Sequence, residues 1–353
     1  MGSGLILQPT GLTVLDWLGL GARMHALGAR IDRLYGTAGG RVVLDVRYAA
    51  LGEARGLAVH RAGLFNVLHD AVAQAGLVPR TRRKIVGLEK GQLIFESGGR
   101  EGPFDLVIDA MGSRSPLVAL ASAPETRRRL AYGAIWASLP WPEQGFDAHA
   151  LEQRYRDAAQ MCGVLPIGCT REGEGLQTAF FWSLRHGDYE AWRRAGVDAW
   201  KADVLRLWPE TGNLLDQIVS EQQMTLARYE HRTLALPYGR GLAFVGDSAH
   251  STSPQLGQGA NMALIDAYAL SQALESESTI PAALAAYAHA RFWHVRLFQA
   301  LSFTFTPFYQ SDSTLLPLVR DWLVAGMARL PPAQRFLAAM VSGKLGLAQS
   351  GLP

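Results

Sequence analysis

The sequence predicts an α/β protein in which a β-rich domain is inserted into a domain of alternating strands and helices. The stretch from Gly241 to Asp266 reads as a buried strand, a polar loop and a helix, the pattern of a parallel α/β unit. Leu106–Ile108 is a second short apolar run typical of a buried strand. Between about 128 and 238 the pattern changes to long strand-like runs rich in aromatic residues, which predict a separate antiparallel sheet.

The composition excludes several classes of function. The chain has 353 residues, 48% of them hydrophobic and 18% charged, which is enough for two compact units. A net charge of +3 is too small to indicate a nucleic-acid partner. Cys162 and Cys169 have no metal-ligand partner nearby, so we predict buried free thiols in a reducing, cytoplasmic setting and no metal site. We find no signal peptide, and no apolar run of membrane-spanning length.

The stretch around Asp247 carries the strongest indication of chemistry. Leu242–Val245 is the strand, and it ends at Gly246 and Asp247. A carboxylate at this position accepts hydrogen bonds from sugar or polyol hydroxyl groups. The polar loop that follows runs to Gly259, and we expect Asn261 to cap a helix over about 262–274.

The end of this loop is suited to an electron-rich or anionic group. Gly257 and Gly259 have no side chain, so a ligand can approach the backbone closely. The N–H groups of Gly259, Ala260 and Asn261 are expected to be unpaired at a helix N-terminus, where negative charge is stabilised. The alternative is an ordinary strand–loop–helix crossover with a capping asparagine.

These residues resemble a known family. Gly246-Asp247-Ser-Ala-His250, Pro254, Gly257-Gln258-Gly259-Ala260-Asn261 and Asp266-Ala267 look like the second flavin fingerprint of the class A flavoprotein monooxygenases. This family of FAD-dependent aromatic hydroxylases includes the 4-hydroxybenzoate and ubiquinone-pathway hydroxylases. The resemblance implies an FAD-binding, Rossmann-like domain. It also implies that Asp247 holds the ribityl chain, that Pro254 lies beside the isoalloxazine, and that the amides of 257–261 face its pyrimidine end.

A second match lies near residue 61. Arg61, Leu64 and Leu68 resemble the family's Arg-x-x-Leu-x-x-x-Leu helix. In this position Arg61 is expected to reach phosphate or ribityl oxygens of the flavin. The alternative is a surface arginine at the start of a helix. His250, in the motif loop, is predicted to be a packing residue rather than a base.

Two family features are absent from this sequence. No Gly-x-Gly-x-x-Gly turn for the FAD pyrophosphate follows a strand, so roughly the first thirty to forty residues of the family pattern are missing. We expect either a truncated gene or a mis-set start codon, or else a shortened protein that binds flavin poorly or not at all. Loss of a central parallel strand is also expected to expose the edges of two neighbouring strands. Met111 stands where the family has an aspartate that handles pyrophosphate and nicotinamide cofactor, and Asp109 stands where glycine is usual.

The inserted sheet supplies the candidates for the substrate pocket. Its predicted strands are 130–139, 161–167, 176–184 and 224–236, with helical pieces at 147–159 and 188–208. Aromatic side chains on these strands are expected to line a pocket over the flavin: Trp136, Phe181, Trp182 and Tyr229. His231 is a candidate for orienting a phenol. For each of them, ordinary packing in the sheet is the alternative, and we assign no general acid or base.

The predicted domains follow from these elements. Residues 1–127 and 239–300 form the two parts of the FAD-binding domain, 128–238 the substrate domain, and 301–353 a C-terminal helical region. Helices are predicted over 280–299 and 315–327. The apolar C-terminal region is predicted to contact a membrane surface peripherally, to pack on the flavin domain or to form a homodimer.

The resemblance implies a function. It implies hydroxylation of a small aromatic or quinone-precursor substrate: NAD(P)H reduces FAD, and a flavin hydroperoxide transfers the oxygen. A related flavin enzyme, such as a halogenase or polyprenyl reductase, is one alternative, although the motif loop lacks the lysine that halogenation calls for. A truncated, non-catalytic remnant is the other.

Overall fold

A computed structural model describes residues 4–52, 54–324 and 330–347. The α-helices of this part of the chain are α1 (Pro9–Trp17), α2 (Gly21–Leu27), α3 (Arg61–Gln74), α4 (Tyr189–Leu207), α5 (Gly212–Leu215), α6 (Gly259–Ser276), α7 (Ile280–Tyr309), α8 (Leu315–Val319) and α9 (Pro331–Val341). Its strands are β1 (Gly4–Leu7), β2 (Ala29–Ile31), β3 (Arg33–Ala38), β4 (Arg41–Arg47), β5 (Gly56–His60), β6 (Ile85–Glu89), β7 (Gln92–Phe95), β8 (Arg100–Glu101), β9 (Val107–Asp109), β10 (Glu125–Pro140), β11 (Ala150–Arg156), β12 (Gln160–Gly168), β13 (Gln177–Arg185), β14 (Thr225–Leu234), β15 (Tyr238–Gly239), β16 (Leu242–Phe244) and β17 (His250–Ser251).

The largest element is an eight-stranded sheet in the order β17-β14-β10-β13-β12-β11-β3-β4. Its centre is antiparallel, since β10 pairs with β13 on one side and β14 on the other. The sheet is wider than predicted, because β3 and β4 join it from the N-terminal part, and the β3–β11 pairing is parallel. The predicted α/β class with a large sheet and C-terminal helices is confirmed.

The two faces of this sheet have different partners. One face packs against α4 and α5 in a core that contains Ile135, Phe180 and Trp208. The opposite face packs against β5, α7 and α9, in a core that also takes in Leu256 and Met262 from the motif loop and α6. The sheet therefore lies directly against the segment predicted to bind the cofactor.

Two local predictions were wrong. Residues 147–159 were predicted to be helical, but β11 occupies Ala150–Arg156, where Gln153 and Tyr155 are buried. Pairing with β12 and β3 satisfies the backbone of β11 on both edges and overrides its charged, helix-like composition. Residues 41–46 and 48–50 read as the two strands of a hairpin, but β4 pairs with β3 instead, and Tyr48–Leu51 forms a 3₁₀ turn.

A small sheet with the order β15-β16-β9 lies behind the motif loop. β16 and β9 are parallel, and β16 leads directly into the 3₁₀ turn Gly246–Ser248. Among the described residues no strand pairs with the other edge of β9. The strand at 106–108 was predicted to be buried, but Ile108 is 51% exposed and the buried residue is Asp109.

The remaining elements pack around the motif loop. β1, β5 and β2 form a three-stranded sheet that packs with α1, α2 and α3. β6 and β7 form a hairpin, as the polar pattern of 84–88 and 92–96 predicts. α7 extends through the aromatic run to Tyr309, beyond its predicted end at 299. The predicted 315–327 helix is seen as α8 and a π-helical turn, Arg320–Val324, and its last residues lie outside the described ranges.

The predicted domain boundaries stay predictions. A search of the described helices found none long and apolar enough to span a bilayer.

Candidate active site

The motif loop begins its helix earlier than predicted. α6 starts at Gly259, three residues before the predicted start, and its N-cap residue, Gln258, makes no side-chain capping bond. The expected cap, Asn261, lies inside the first turn. Its Oδ1 accepts a hydrogen bond from the Gln8 N–H at 2.8 Å, and its Nδ2 donates to the Ile6 carbonyl at 3.2 Å. Asn261 therefore ties the helix to β1 instead of capping it.

The predicted row of free amides is present at this helix start. In the described part of the chain, the N–H groups of Gly259, Ala260 and Asn261 have no hydrogen-bond acceptor. Gly259 and Pro254 are exposed. Gly257 has a φ of +61°, which glycine adopts readily. These groups form an open surface that can accept the electron-rich edge of a planar ligand.

Asp247 lies at the other end of the loop. Its side chain is solvent-accessible but surrounded by protein atoms, and this partial desolvation raises its pKa against the attraction of His250 and Arg61. Arg61, the exposed first residue of α3, is therefore within electrostatic reach of Asp247. The structure brings together the predicted polyol acceptor and the predicted phosphate or ribityl contact.

A buried ion-pair network supports the loop from behind. The Asp266 carboxylate accepts hydrogen bonds from the Gly246 N–H at 2.8 Å, His250 Nε2 at 2.6 Å and Arg291 Nε at 2.7 Å. Burial alone would raise the pKa of Asp266, but His250 and Arg291 lower it well below its usual range. The predicted packing role of His250 agrees with this position. The sequence did not reveal the network, because its members lie on three separate elements.

Three of the predicted pocket aromatics are in contact. Trp136 Nε1 donates a hydrogen bond to the Tyr229 hydroxyl at 3.0 Å, and the Phe181 ring lies 4.5 Å from the Trp136 ring. Burial raises the pKa of Tyr229 to about 12, with Arg61 opposing this shift. Tyr229 therefore keeps its proton at neutral pH, and it lies within electrostatic reach of Arg61.

The other two candidates have different surroundings. Trp182 belongs to the core on the opposite face of the sheet, beneath α4. His231 packs against Phe303 with ring centroids 6.5 Å apart, and burial together with Arg128 lowers its pKa. A role for His231 in orienting a phenol stays a prediction.

Two polar residues, His60 and Ser138, were not among the site residues predicted from the sequence. His60 caps α3 through Nδ1, which accepts the Ala62 N–H at 3.1 Å, so the ring hydrogen is on Nε2. His60 Nε2 lies 3.5 Å from Ser138 Oγ on β10. The signal in the sequence was the place of His60 at the end of a strand, directly before Arg61.

A cavity of about 320 Å³ with a mixed polar and apolar lining lies between residues 115–127 and Arg232 of β14. Arg232 is 2% exposed and lies 2.9 Å from Glu125, yet its Nη1 has no partner among the described residues. Asp109, at the base of this connection, accepts hydrogen bonds from the Met111 N–H and the Ser115 hydroxyl. The unusual aspartate thus orders the segment in which Met111 departs from the family pattern. No cluster of metal-ligating side chains was found in the described ranges.

The fold and the site define a flavin-binding protein. A family model described as an FAD binding domain matches residues 203–298, which include the whole motif loop and α6. The match confirms the predicted FAD-binding domain and FAD as the cofactor.

The relatives give the class. The chain is 24% identical to the aurachin C monooxygenase/isomerase of Stigmatella aurantiaca over 93% of this chain and 85% of that protein. It is 25% identical to a Rhodococcus erythropolis protein named "probable 2-heptyl-3-hydroxy-4(1H)-quinolone synthase", over 81% and 73% of the two chains. Its fold matches Klebsiella pneumoniae HpxO complexed with FAD and uric acid, with a TM-score of 0.81 at 20% identity, over 96% and 88%. The protein is an FAD-dependent oxidoreductase of the monooxygenase type, as predicted, and it is similar to the class A monooxygenases.

Proposed function

We propose that this protein hydroxylates a small aromatic ring of the quinolone or quinone-precursor type. The observation that carries the proposal is the hydrogen-bonded Trp136–Tyr229 pair on the sheet. Both Tyr229 and Asp247 of the motif loop lie within electrostatic reach of Arg61. The names of two relatives, a monooxygenase/isomerase and a quinolone synthase, and the uric acid of one structural neighbour support a planar aromatic or heteroaromatic substrate.

The residues present fit the ribityl and pyrimidine parts of FAD. Asp247 would accept hydrogen bonds from ribityl hydroxyls, and Arg61 would lie near ribityl or phosphate oxygens. The free amides of 259–261 would stabilise negative charge on the ring edge that faces them. When bound and reduced by NAD(P)H, FAD supplies the activation of molecular oxygen, one atom of which goes to the substrate and the other to water.

The substrate side is built from one flat wall and one polar group. Trp136 is half-buried and would offer an apolar face for ring stacking, whereas Phe181 is buried and supports Trp136 from the core. Tyr229 already accepts a bond from Trp136, so its own hydroxyl hydrogen would be donated to a carbonyl or phenol oxygen of the substrate. Together they would orient the ring against the flavin and keep water out.

Several finer features stay proposals. NAD(P)H is the proposed reductant, although Met111 cannot accept hydrogen bonds where the family has an aspartate. Halogenation is disfavoured, because residues 246–261 contain no lysine. Leu315, Leu318 and Trp322 are exposed at the spacing of one helix face, which supports an external apolar contact, either a membrane surface or a second copy.

Replacing Asp247 with alanine is expected to strip FAD from a folded protein. Loss of hydrogen bonds to a charged acceptor costs about 1.5–3 kcal/mol, or roughly a 10- to 150-fold weaker affinity. Flavin content after gel filtration and titration of the apoprotein with FAD measure the effect. Asp216→Ala, which removes another exposed aspartate, is the control. Unchanged flavin content in Asp247→Ala would contradict the proposed placement of FAD. An unchanged melting temperature of the apoprotein would show that the fold is intact.

Replacing Tyr229 with phenylalanine is expected to weaken substrate binding without loss of FAD. One neutral hydrogen bond contributes about 1 kcal/mol, so the Kd of a planar aromatic ligand should rise about fivefold. The change in the visible flavin spectrum on ligand addition reports this Kd. Tyr189→Phe, on the helical side of the sheet, is the matched control. Equal Kd values for both variants would remove Tyr229 from the proposed substrate site.

A further inference from the structure

The end of α9 makes an unusual set of contacts with the proposed cofactor site. Three consecutive carbonyl groups, those of Val341, Ser342 and Gly343, each accept a buried side-chain hydrogen bond. Gln258 Nε2 donates to the first, Thr10 Oγ1 to the second at 3.2 Å, and His294 Nε2 to the third at 3.0 Å. The donors come from the motif loop, α1 and α7, so this short segment joins three elements around the loop.

His294 extends this connection to the other end of the motif loop. Its Nδ1 accepts a hydrogen bond from Arg291 Nη1 at 2.9 Å, and Arg291 in turn bonds Asp266. Burial and Arg291 lower the pKa of His294 to about 3, so the ring is neutral and can accept at Nδ1 while it donates at Nε2. Asp266 holds the Gly246 N–H, one residue before Asp247. A continuous chain of buried bonds thus runs from Gly343 to the start of the loop.

We propose that residues 341–343 are a positioning element, a C-terminal clasp, that sets both FAD-facing parts of the motif loop: 246–247 through His294, Arg291 and Asp266, and 257–261 through Gln258. The inference rests on the proposed placement of FAD against this loop. Residues 341–343 would thus contribute to FAD affinity, although they do not belong to the proposed FAD surface.

Two glycines in this segment provide a matched pair of test sites. Gly343 has a φ of +79°, and a Cβ there would overlap the Thr10 hydroxyl and lie 3.0 Å from Gln258 Oε1. Gly346 has a φ of +74°, and a Cβ there would lie 3.0 Å from Leu297 Cδ2. Alanine at either position incurs a similar backbone strain, but only Gly343→Ala pushes on the motif loop.

The experiment compares Gly343→Ala with Gly346→Ala. The melting temperature of each apoprotein measures general damage, and titration with FAD, followed by flavin fluorescence and the visible spectrum, measures the site. We expect both variants to lose melting temperature, Gly343→Ala more because of its overlap with Thr10. Only Gly343→Ala should show a tenfold or larger rise in the FAD Kd and an altered flavin spectrum. Equal FAD Kd values for the two variants would overturn the clasp.

His294 gives a second test that does not depend on the folding of a glycine variant. His294→Ala breaks the chain of bonds, whereas His294→Gln retains one acceptor and one donor. We expect the alanine variant to lose FAD affinity at least fivefold and the glutamine variant to recover most of it. Thr306→Val, which removes a buried hydroxyl elsewhere on α7, should bind FAD like the parent. If His294→Ala lowers only the apoprotein melting temperature, the clasp is wrong. If Asp247→Ala also leaves flavin content unchanged, the proposed placement of FAD fails with it.

Discussion

Replacing Asp266 with alanine is expected to lower the free energy of unfolding by about 3–5 kcal/mol, because Arg291 would remain buried without its counter-charge. Both side chains are almost fully buried, and the pair is 2.7 Å apart. The Gly246 N–H and His250 would lose their acceptor as well. Urea denaturation of the apoprotein, with the mutant compared at matched pH, measures the loss.

A double variant separates the stability lost to the unpaired charge of Arg291 from the stability lost with the hydrogen bonds of Asp266. In Asp266→Leu with Arg291→Met both charges are absent, and apolar pairs of similar volume often replace buried ion pairs at little cost. We expect the part of the stability that was lost to the unpaired Arg291 charge to return, whereas the part lost at the Gly246 N–H and His250 stays lost. FAD affinity should not return, because the Gly246 N–H still lacks its acceptor. A single variant that loses less than about 1 kcal/mol would contradict the assignment of Asp266 as the centre of this network.

The second large effect is a loss of stability in mild acid. His294 is buried and neutral, and its pKa is lowered from 6.5 to about 3 by burial and by Arg291. The unfolded protein takes up a proton at this residue below pH 6.5, and the folded protein does not until about pH 3. Stability from this group is therefore complete above pH 6.5 and falls by about 1.4 kcal/mol per pH unit below it.

The measurement is the free energy of unfolding between pH 7.5 and 4.5, for the parent and for His294→Gln. The parent curve should fall more steeply, and the two should diverge by about 1.4 kcal/mol per pH unit below the ordinary histidine pKa. The titration of Asp266 falls outside this pH range. Its pKa is lowered from 3.8, so its stabilisation persists above that value and is lost only in stronger acid. Parallel curves would show that His294 is not the group held neutral.

The elements predicted correctly are those whose pattern is local. β10, β12, β13 and β14 all lie where long apolar and aromatic runs predicted strands. The order of strand, loop and helix around Asp247 was also predicted from the sequence. Glycine, proline and a short apolar run influence the conformation of only a few neighbouring residues, so no distant partner was needed.

The failures have a common cause. β11 reads as a charged helix and becomes a strand because β12 and β3 lie on its two sides. Asn261 reads as a helix cap and instead bonds residues 6 and 8, some 250 positions away in the chain. In both cases a partner remote in sequence supplies the hydrogen bonds that decide the conformation.

Local sequence patterns thus predicted the fold class, the FAD cofactor and the resemblance to the flavoprotein monooxygenases. The hydrogen bond between Trp136 and Tyr229 could be seen only in the folded protein. The same is true of the bonds through Asp266, Arg291 and His294 that connect the motif loop to Gly343. The physical reason is that a buried polar side chain must find a partner, and that partner is chosen by packing in space, not by spacing along the chain.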